Sequence, residues 1–193
     1  MKRRDVLAWI CRGMATTVAA VIGVPGVQYV LGSLKRAPAE TARFRRVARL
    51  NDVAAGRPLL VPVMGHKQDA WTTHAEQPIG RVWLVRRDAA GTGDADEPPP
   101  GSIQALTSLC PHMGCHVQLR DKGGSFVCPC HRATFGLDGS KLPAERTGER
   151  NHAPRGMDEL ASRLVRDEAS DEWWVEVKYE KFEPGLMQRV PKV

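Results

Sequence analysis

The longest run without charge lies near the N-terminus. Residues 13–34 contain no charged side chain, and Val6–Ile10 extends the apolar stretch backwards past Arg12. About 20 such residues suffice to cross a bilayer as a helix. Arg12 lies near enough to one end to snorkel to the interface. Pro25-Gly26 is tolerated more readily in a membrane helix than in a soluble one.

From residue 44 onward helical periodicity fades and short strand-like runs recur. Leu59–Val63 is β-rich, and its Pro62 suits an edge strand. Arg81–Arg86 is a compact apolar strand, and Gly124–Val127 leads into a cysteine cluster through a predicted hairpin, Val117–Val127. In Trp173–Tyr179, Val175, Val177 and Tyr179 fall on one face and Trp174, Glu176 and Lys178 on the other. Turn-forming residues separate the runs at 89–101, 121–124, Asp138-Gly139 and 169–172. The acidic, Pro-rich 89–101 stretch reads as a solvated insertion. Asp158–Leu164 reads as a short helical turn. The chain has no internal repeat. The pattern predicts one N-terminal helix and a small antiparallel sandwich or barrel.

Composition narrows this. A chain of 193 residues fits one domain with appendages, and 26% charged residues exclude a polytopic membrane protein. The net charge of +6 is unevenly spread. Residues 1–49 hold ten Lys/Arg against Asp5 and Glu40, whereas residues 50–193 hold 18 basic and 20 acidic residues. The body is slightly acidic, which argues against a basic nucleic-acid face. Lys2-Arg3-Arg4 ahead of Val6-Leu7 reads as a twin-arginine export signal. A generic basic start and a cleaved signal peptide are the alternatives. Ala37-Pro38-Ala39 is a poor cleavage site because of its proline. The expectation is an uncleaved anchor with its N-terminus in the cytoplasm. Basic residues flank both ends of the apolar run, so orientation rests on the arginine pair. The expected organisation is a twin-arginine-like signal and anchor at 1–34, a flexible tether at 35–43, and a folded head at 44–193.

Five cysteines occur, and Cys11 in the anchor reads as inert. The other four lie in two short loops: Cys110-Pro-His112-Met-Gly-Cys115 and Cys128-Pro-Cys130-His131. Three chemistries suit this set. Tetrahedral zinc is one, although zinc fingers use Cys–Cys and His–His pairs rather than mixed Cys-x-His pairs. Two disulfides in an exported protein are another, but leave both histidines idle. A [2Fe–2S] centre held by Cys on one iron and His on the other is the third.

The two loops, Cys110-x-His112-x-Gly114-Cys115 and Cys128-Pro129-Cys130-His131, resemble those of Rieske iron–sulfur proteins. The likeness is to the iron–sulfur subunit of cytochrome bc-type quinol oxidoreductases, the branch marked by the two extra cysteines. Ala153-Pro154, ahead of Gly156-Met157, resembles the family's proline loop. The resemblance implies an all-β fold: a Rieske-type antiparallel β-sandwich head with a small cluster-binding subdomain (loops within 108–136), tethered to one transmembrane helix. It implies one [2Fe–2S] cluster per subunit, with Cys110 and Cys128 on one iron and His112 and His131 on the other. It also implies a Cys115–Cys130 disulfide. His116, His66, His74 and His152 have no ligand role in the pattern and read as surface imidazoles.

The implied function is one-electron transfer from quinol, with a proton taken by a ligand histidine, first His131 and second His112. The partners implied are a cytochrome b-type subunit and a c-type cytochrome, reached by a head that swings on its tether. Leu109, Met113 and Gly114 would form the docking rim. The location implied is the bacterial cytoplasmic membrane, with the head on the periplasmic side. Without cytochrome b the subunit is not a complete quinol-oxidising enzyme. The alternatives are the small Rieske subunit of an arsenite-oxidase-like molybdenum enzyme and a zinc-stabilised envelope module.

The chain departs from the family pattern Cys-Pro-Cys-His-Gly-Ser-x-Tyr by carrying Arg132-Ala133-Thr134-Phe135 after His131. The family's Ser and Tyr hydroxyls donate to cluster and cysteine sulfur, and such bonds raise potential. Ala133 and Phe135 cannot donate, so the expected potential is low, which suits menaquinol. Thr134 is a candidate substitute donor, and the charge of Arg132 acts in the opposite direction.

Overall fold

The computed structural model describes residues 2–34, 43–69, 72–87, 101–120, 124–148 and 150–192. The chain divides into two compact units, Met1–Ala39 and Glu40–Val193. The first contains helix α1, Arg3–Leu34. Its Arg3–Gly32 stretch is long and apolar enough to cross a membrane, and none of it is buried within the chain. Thr16 and Thr17 return their hydroxyls to the carbonyl of Gly13, so these polar groups are satisfied inside the helix. Pro25 lies within α1.

The second unit is built of antiparallel strands. They are β1 (Phe44–Arg49), β2 (Leu59–Asp69), β3 (Thr72–Arg86), β4 (Ile103–Thr107), β5 (Gln118–Leu119), β6 (Phe126–Val127), β7 (Thr134–Phe135), β8 (Glu159–Leu160), β9 (Ser162–Asp167) and β10 (Glu172–Lys178). Three sheets result, in the orders β1-β10-β9, β2-β3-β4-β8 and β5-β6-β7. The first two enclose a core that includes Ala48, Val61, Val63, Leu84, Val175 and Val177. Val175, Val177 and Tyr179 are buried, as the alternation of β10 predicts. Strand β2 lies at a sheet edge, where Pro62 is admissible.

Strand β3 serves two cores. Val82 and Leu84 face the sandwich, while Trp83 and Val85 face a second cluster with Leu106, Phe126 and Phe135. Both faces of its C-terminal half are therefore covered, which is why Val82–Val85 reads as unbroken apolar rather than alternating. This second core underlies the three-stranded sheet that carries the cysteine loops. Trp83 stacks obliquely on Phe126, 5.1 Å between ring centres, and its indole N–H donates to the carbonyl of Val117 at 3.2 Å.

Two local expectations are corrected. Asp158–Leu164 is strand, not a helical turn: it contributes β8 and the start of β9. The amide of Thr107 donates to the carbonyl of Asp158, and β8 pairs with β4, so sheet bonds replace helical ones. The strand seen in Arg81–Arg86 begins at Thr72, because β3 continues its ladder with β2 past irregularities that accommodate Pro78. A one-turn helix, α2 (Ala144–Thr147), also appears and ends at Gly148 with φ of 73°. The expected tether at 35–43, apart from Arg43, and the expected insertion at 89–101, apart from Gly101, lie outside the described residues.

Candidate metal centre

Two loops of the same design form the site. In loop 1 the Cys110 amide donates to the Cys115 carbonyl and the Gly114 amide to the Cys110 carbonyl, both at 2.8 Å. In loop 2 the Cys128 amide donates to the Ala133 carbonyl at 2.8 Å and the Arg132 amide to the Cys128 carbonyl at 2.9 Å. Each loop thus folds back on its leading cysteine through bonds of five and four residues' separation. The tight return needs positive φ, found at Gly114 (79°) and Arg132 (57°). Ser108 and Val117 close the base of loop 1, and the β6–β7 pairing closes that of loop 2.

This design turns the leading cysteines inward. Cys110 and Cys128 are buried free thiols within the second core. Burial pushes the Cys110 thiol up to about 12, the Cys128 thiol adds to the rise, and the backbone amides of His112 and Met113 work against it. The histidines stand at the crests. The rings of His112 and His131 meet edge to face, 4.7 Å between centres. Desolvation first, and then the His131 and His152 imidazoles, hold His112 below its ordinary value. His131 is exposed and His112 half-buried. Cys115 and Cys130 form a disulfide across the loops, with Cα atoms 6.6 Å apart. The Cys128 sulfur lies within 4.8 Å of both disulfide sulfurs. That trio is no ligand set, because two of its sulfurs are already bonded to each other.

The residues fit a metal group. The Nδ1 atom of His112 is buried and has no hydrogen-bond partner, a costly state for a nitrogen unless something else satisfies it. Two adjacent buried thiols are likewise what a bound cation would deprotonate and stabilise.

A third segment lies over the loops. Asn151 donates its side-chain amide to the carbonyls of Thr134 and Leu142, and its Oδ1 accepts from the Ala153 amide. These bonds hold the Ala153-Pro154 stretch, with Ala153 in the second core. Gly156 is obligatory here: a Cβ on it would lie 2.6 Å from the Gly139 carbonyl oxygen.

Several positions differ from expectation or were invisible to it. His152 is exposed, as a surface imidazole should be, yet its ring lies along that of His112, 6.1 Å between centres. Its neighbouring Ala-Pro was the signal available in the sequence. Thr134 is buried and donates its hydroxyl to the Arg132 carbonyl at 3.0 Å, so it is committed to its own loop. Met113 is 64% exposed, whereas Leu109 is half-buried. His116 bonds Ser108 Oγ through Nδ1 at 3.0 Å.

The chain is similar to several known proteins. The menaquinol:cytochrome c reductase iron–sulfur subunit of Geobacillus thermodenitrificans is 26% identical over 144 residues, covering 73% of this chain and 76% of that one. The cytochrome b6-f complex iron–sulfur subunit of Chlorobaculum thiosulfatiphilum is 25% identical over 138 residues, covering 72% of this chain and 61% of that one. Among solved structures, the plasma membrane Rieske protein PetC3 of Synechocystis PCC 6803 is 27% identical, with a TM-score of 0.32, over 51% of this chain and 79% of that one. The family model for the Rieske [2Fe-2S] domain matches residues 44–154, more than half of the chain, and the chain therefore belongs to the Rieske [2Fe–2S] domain family.

Proposed function

We propose that this chain is the membrane-anchored iron–sulfur subunit of a quinol:cytochrome c oxidoreductase of cytochrome bc type. The observation that carries the proposal is the pair of matched loops, joined by a disulfide, with two buried thiols beneath two facing imidazoles. Cys110 and Cys128 would hold one iron, and His112 and His131 the other. A bound [2Fe–2S] cluster supplies a one-electron couple, of higher potential than one with four thiolates. Two of the relatives named above are iron–sulfur subunits, one of a menaquinol:cytochrome c reductase and one of a cytochrome b6-f complex, and α1 is long and apolar enough to serve as a membrane anchor.

The chain's own residues then divide the work. His131, the more exposed imidazole, meets quinol and takes its proton; His112 ranks second because it is half-buried. With its Nδ1 buried, His112 has Nε2 left for a partner outside. Quinol releases two electrons and two protons: this subunit takes one electron and, at His131, one proton, while a cytochrome b-type subunit takes the other electron and the second proton passes to solvent. Met113 contributes to the docking rim, and residues 35–43 let the head move to a c-type haem. Menaquinol is the favoured donor, since Ala133, Thr134 and Phe135 supply no hydroxyl that raises potential. The head works on the periplasmic side, where the disulfide is compatible with the compartment.

Electron paramagnetic resonance of the dithionite-reduced protein tests the site, with the signal of a reduced [2Fe–2S] cluster of mixed imidazole–thiolate ligation expected. A colourless, silent protein that binds zinc instead would overturn the proposal. Two prolines inserted in the tether should slow quinol turnover in the assembled complex and leave that spectrum unchanged. Unaltered turnover would remove the moving head from the mechanism.

A further inference from the structure

The C-terminal segment beyond β10 does more than end the chain. Residues 181–192 fold into a small hairpin: the Glu183 amide donates to the Val190 carbonyl and the Lys192 amide to the Lys181 carbonyl. Phe182, at its base, is buried in the sandwich core. At its turn, Gly185 has φ of 80° and donates its amide to the carbonyl of Pro111 at 2.8 Å. Pro111 stands between Cys110 and His112 and is fully buried. The other backbone bonds described for residues 110–114 close loop 1 upon itself, so this one ties the stretch to a different part of the fold.

What holds the hairpin there is Arg155. Its guanidinium makes a two-pronged pair with Asp158, Nε to Oδ1 and one terminal nitrogen to Oδ2, each 2.8 Å. It also donates to the carbonyls of Leu186 and Glu183. The pair is nearly closed to solvent, with side-chain exposures of 11% and 6%. A buried arginine whose fork spans a carboxylate and two carbonyls is a rigid joint that a lysine cannot copy. Arg155 also follows Pro154 directly, so the same residue joins the proline loop to the hairpin.

We propose that Arg155 is a positioning residue for the cluster site, fastening the C-terminal hairpin whose Gly185 amide sets the Pro111 carbonyl between Cys110 and His112. The proposal rests on the assignment of those two residues as ligands. It gives residues 181–192 a role in setting the geometry, and so the electronic properties, of loop 1.

Arg155→Lys keeps a positive charge opposite Asp158 but lacks the fork. A chain ending at Glu183 removes Gly185 and Leu186 while keeping Phe182. Both are expected to shift the cluster's midpoint potential and reduced-state g values, and to lose iron to a chelator several-fold faster than wild type. Combining them should do no more than the truncation alone, because both act through one hairpin. A folded Arg155→Lys protein with unchanged potential, g values and iron loss overturns the proposal. If neither variant folds, hydrogen exchange on the wild-type chain decides. Coupling is reciprocal, so the Gly185 amide should exchange more slowly with cluster bound than without it, relative to amides of the β1-β10-β9 sheet. Equal exchange overturns the proposal. Cys110→Ser serves as the control: if it retains the wild-type signal, the ligand assignment itself fails, whereas its loss beside an unaltered Arg155→Lys condemns the joint alone.

Discussion

Gly114 and Arg132 occupy equivalent places in the two loops. Each donates its amide to the carbonyl of the cysteine four residues earlier, and each does so with positive φ. Glycine adopts this conformation freely, but a side-chain-bearing residue does so at a cost of roughly 1–2 kcal/mol. Gly114→Ala should therefore destabilise the head by about 1 kcal/mol, although a Cβ there meets no neighbour within 4 Å. Arg132→Gly should stabilise it by about 0.5–1 kcal/mol, the gain being reduced by glycine's greater freedom when unfolded. Urea titrations of the two proteins against wild type would show opposite signs; equal signs would contradict the equivalence.

The commitment of the Thr134 hydroxyl to Arg132 leaves Ala133 and Phe135 as the positions where donors are missing. Ala133→Ser with Phe135→Tyr is expected to raise the midpoint potential by on the order of 50 mV. About 1.4 kcal/mol of extra preference for the reduced state corresponds to ~59 mV in a one-electron couple. Both residues are fully buried, so the double variant should also be checked for an intact visible circular dichroism spectrum. An unchanged or lower potential would contradict the expectation.

The approach of Gly156 to Gly139 predicts a sharp response. Gly156→Ala must push backbone away from backbone, since its Cβ would lie 2.6 Å from a carbonyl oxygen. The expected loss is about 2 kcal/mol or more, with easier access of solvent to the cluster. Faster bleaching in air, alongside a lowered melting temperature, is the joint observation to seek.

The disulfide and the cluster would join the same two loops. Removing the bridge by Cys115→Ala with Cys130→Ala should cost about 3 kcal/mol for a closed loop of this length, 15 residues apart. With the cluster bound the loops are already joined, so the cost should be smaller. Melting curves of loaded and cluster-free proteins would separate the two cases, and an equal cost in both would show that the links act independently.

Asp138 provides a pH handle. The Ser140 hydroxyl, donating to Oδ1 at 2.7 Å, holds its carboxyl below the usual carboxylate range. A carboxylate lowered by folding stabilises the native state at neutral pH, and that contribution disappears as pH falls through the lowered value. Ser140→Ala should therefore melt earlier than wild type at pH 7, and the two curves should converge in acid. A constant gap at every pH would assign the effect to packing rather than to ionisation.

Much of the site was legible because its chemistry is local. The paired loops place thiols and imidazoles within a few residues of one another, and β6 and β7 anchor loop 2 by pairing next to it. The alternation of Val175, Val177 and Tyr179 likewise needed only the two-residue period of a strand. Asp158–Leu164 was misread for the opposite reason. Its first strand, β8, exists through pairing with β4, a partner distant in sequence, and nothing in its own residues announces that; β9 pairs with β10 across the turn that follows it.

By itself, the amino-acid sequence determined the long apolar N-terminal helix and the strand-rich head, since polarity and period along the chain are enough to specify each; the six candidate residues of the centre were singled out by the resemblance of their two loops to those of a known family. Tertiary structure alone decided what surrounds them. It laid His152 along His112 and brought Gly185 to Pro111 through Arg155. These contacts join segments separated by up to tens of residues, and depend on how two sheets and a C-terminal hairpin pack. No local propensity encodes them.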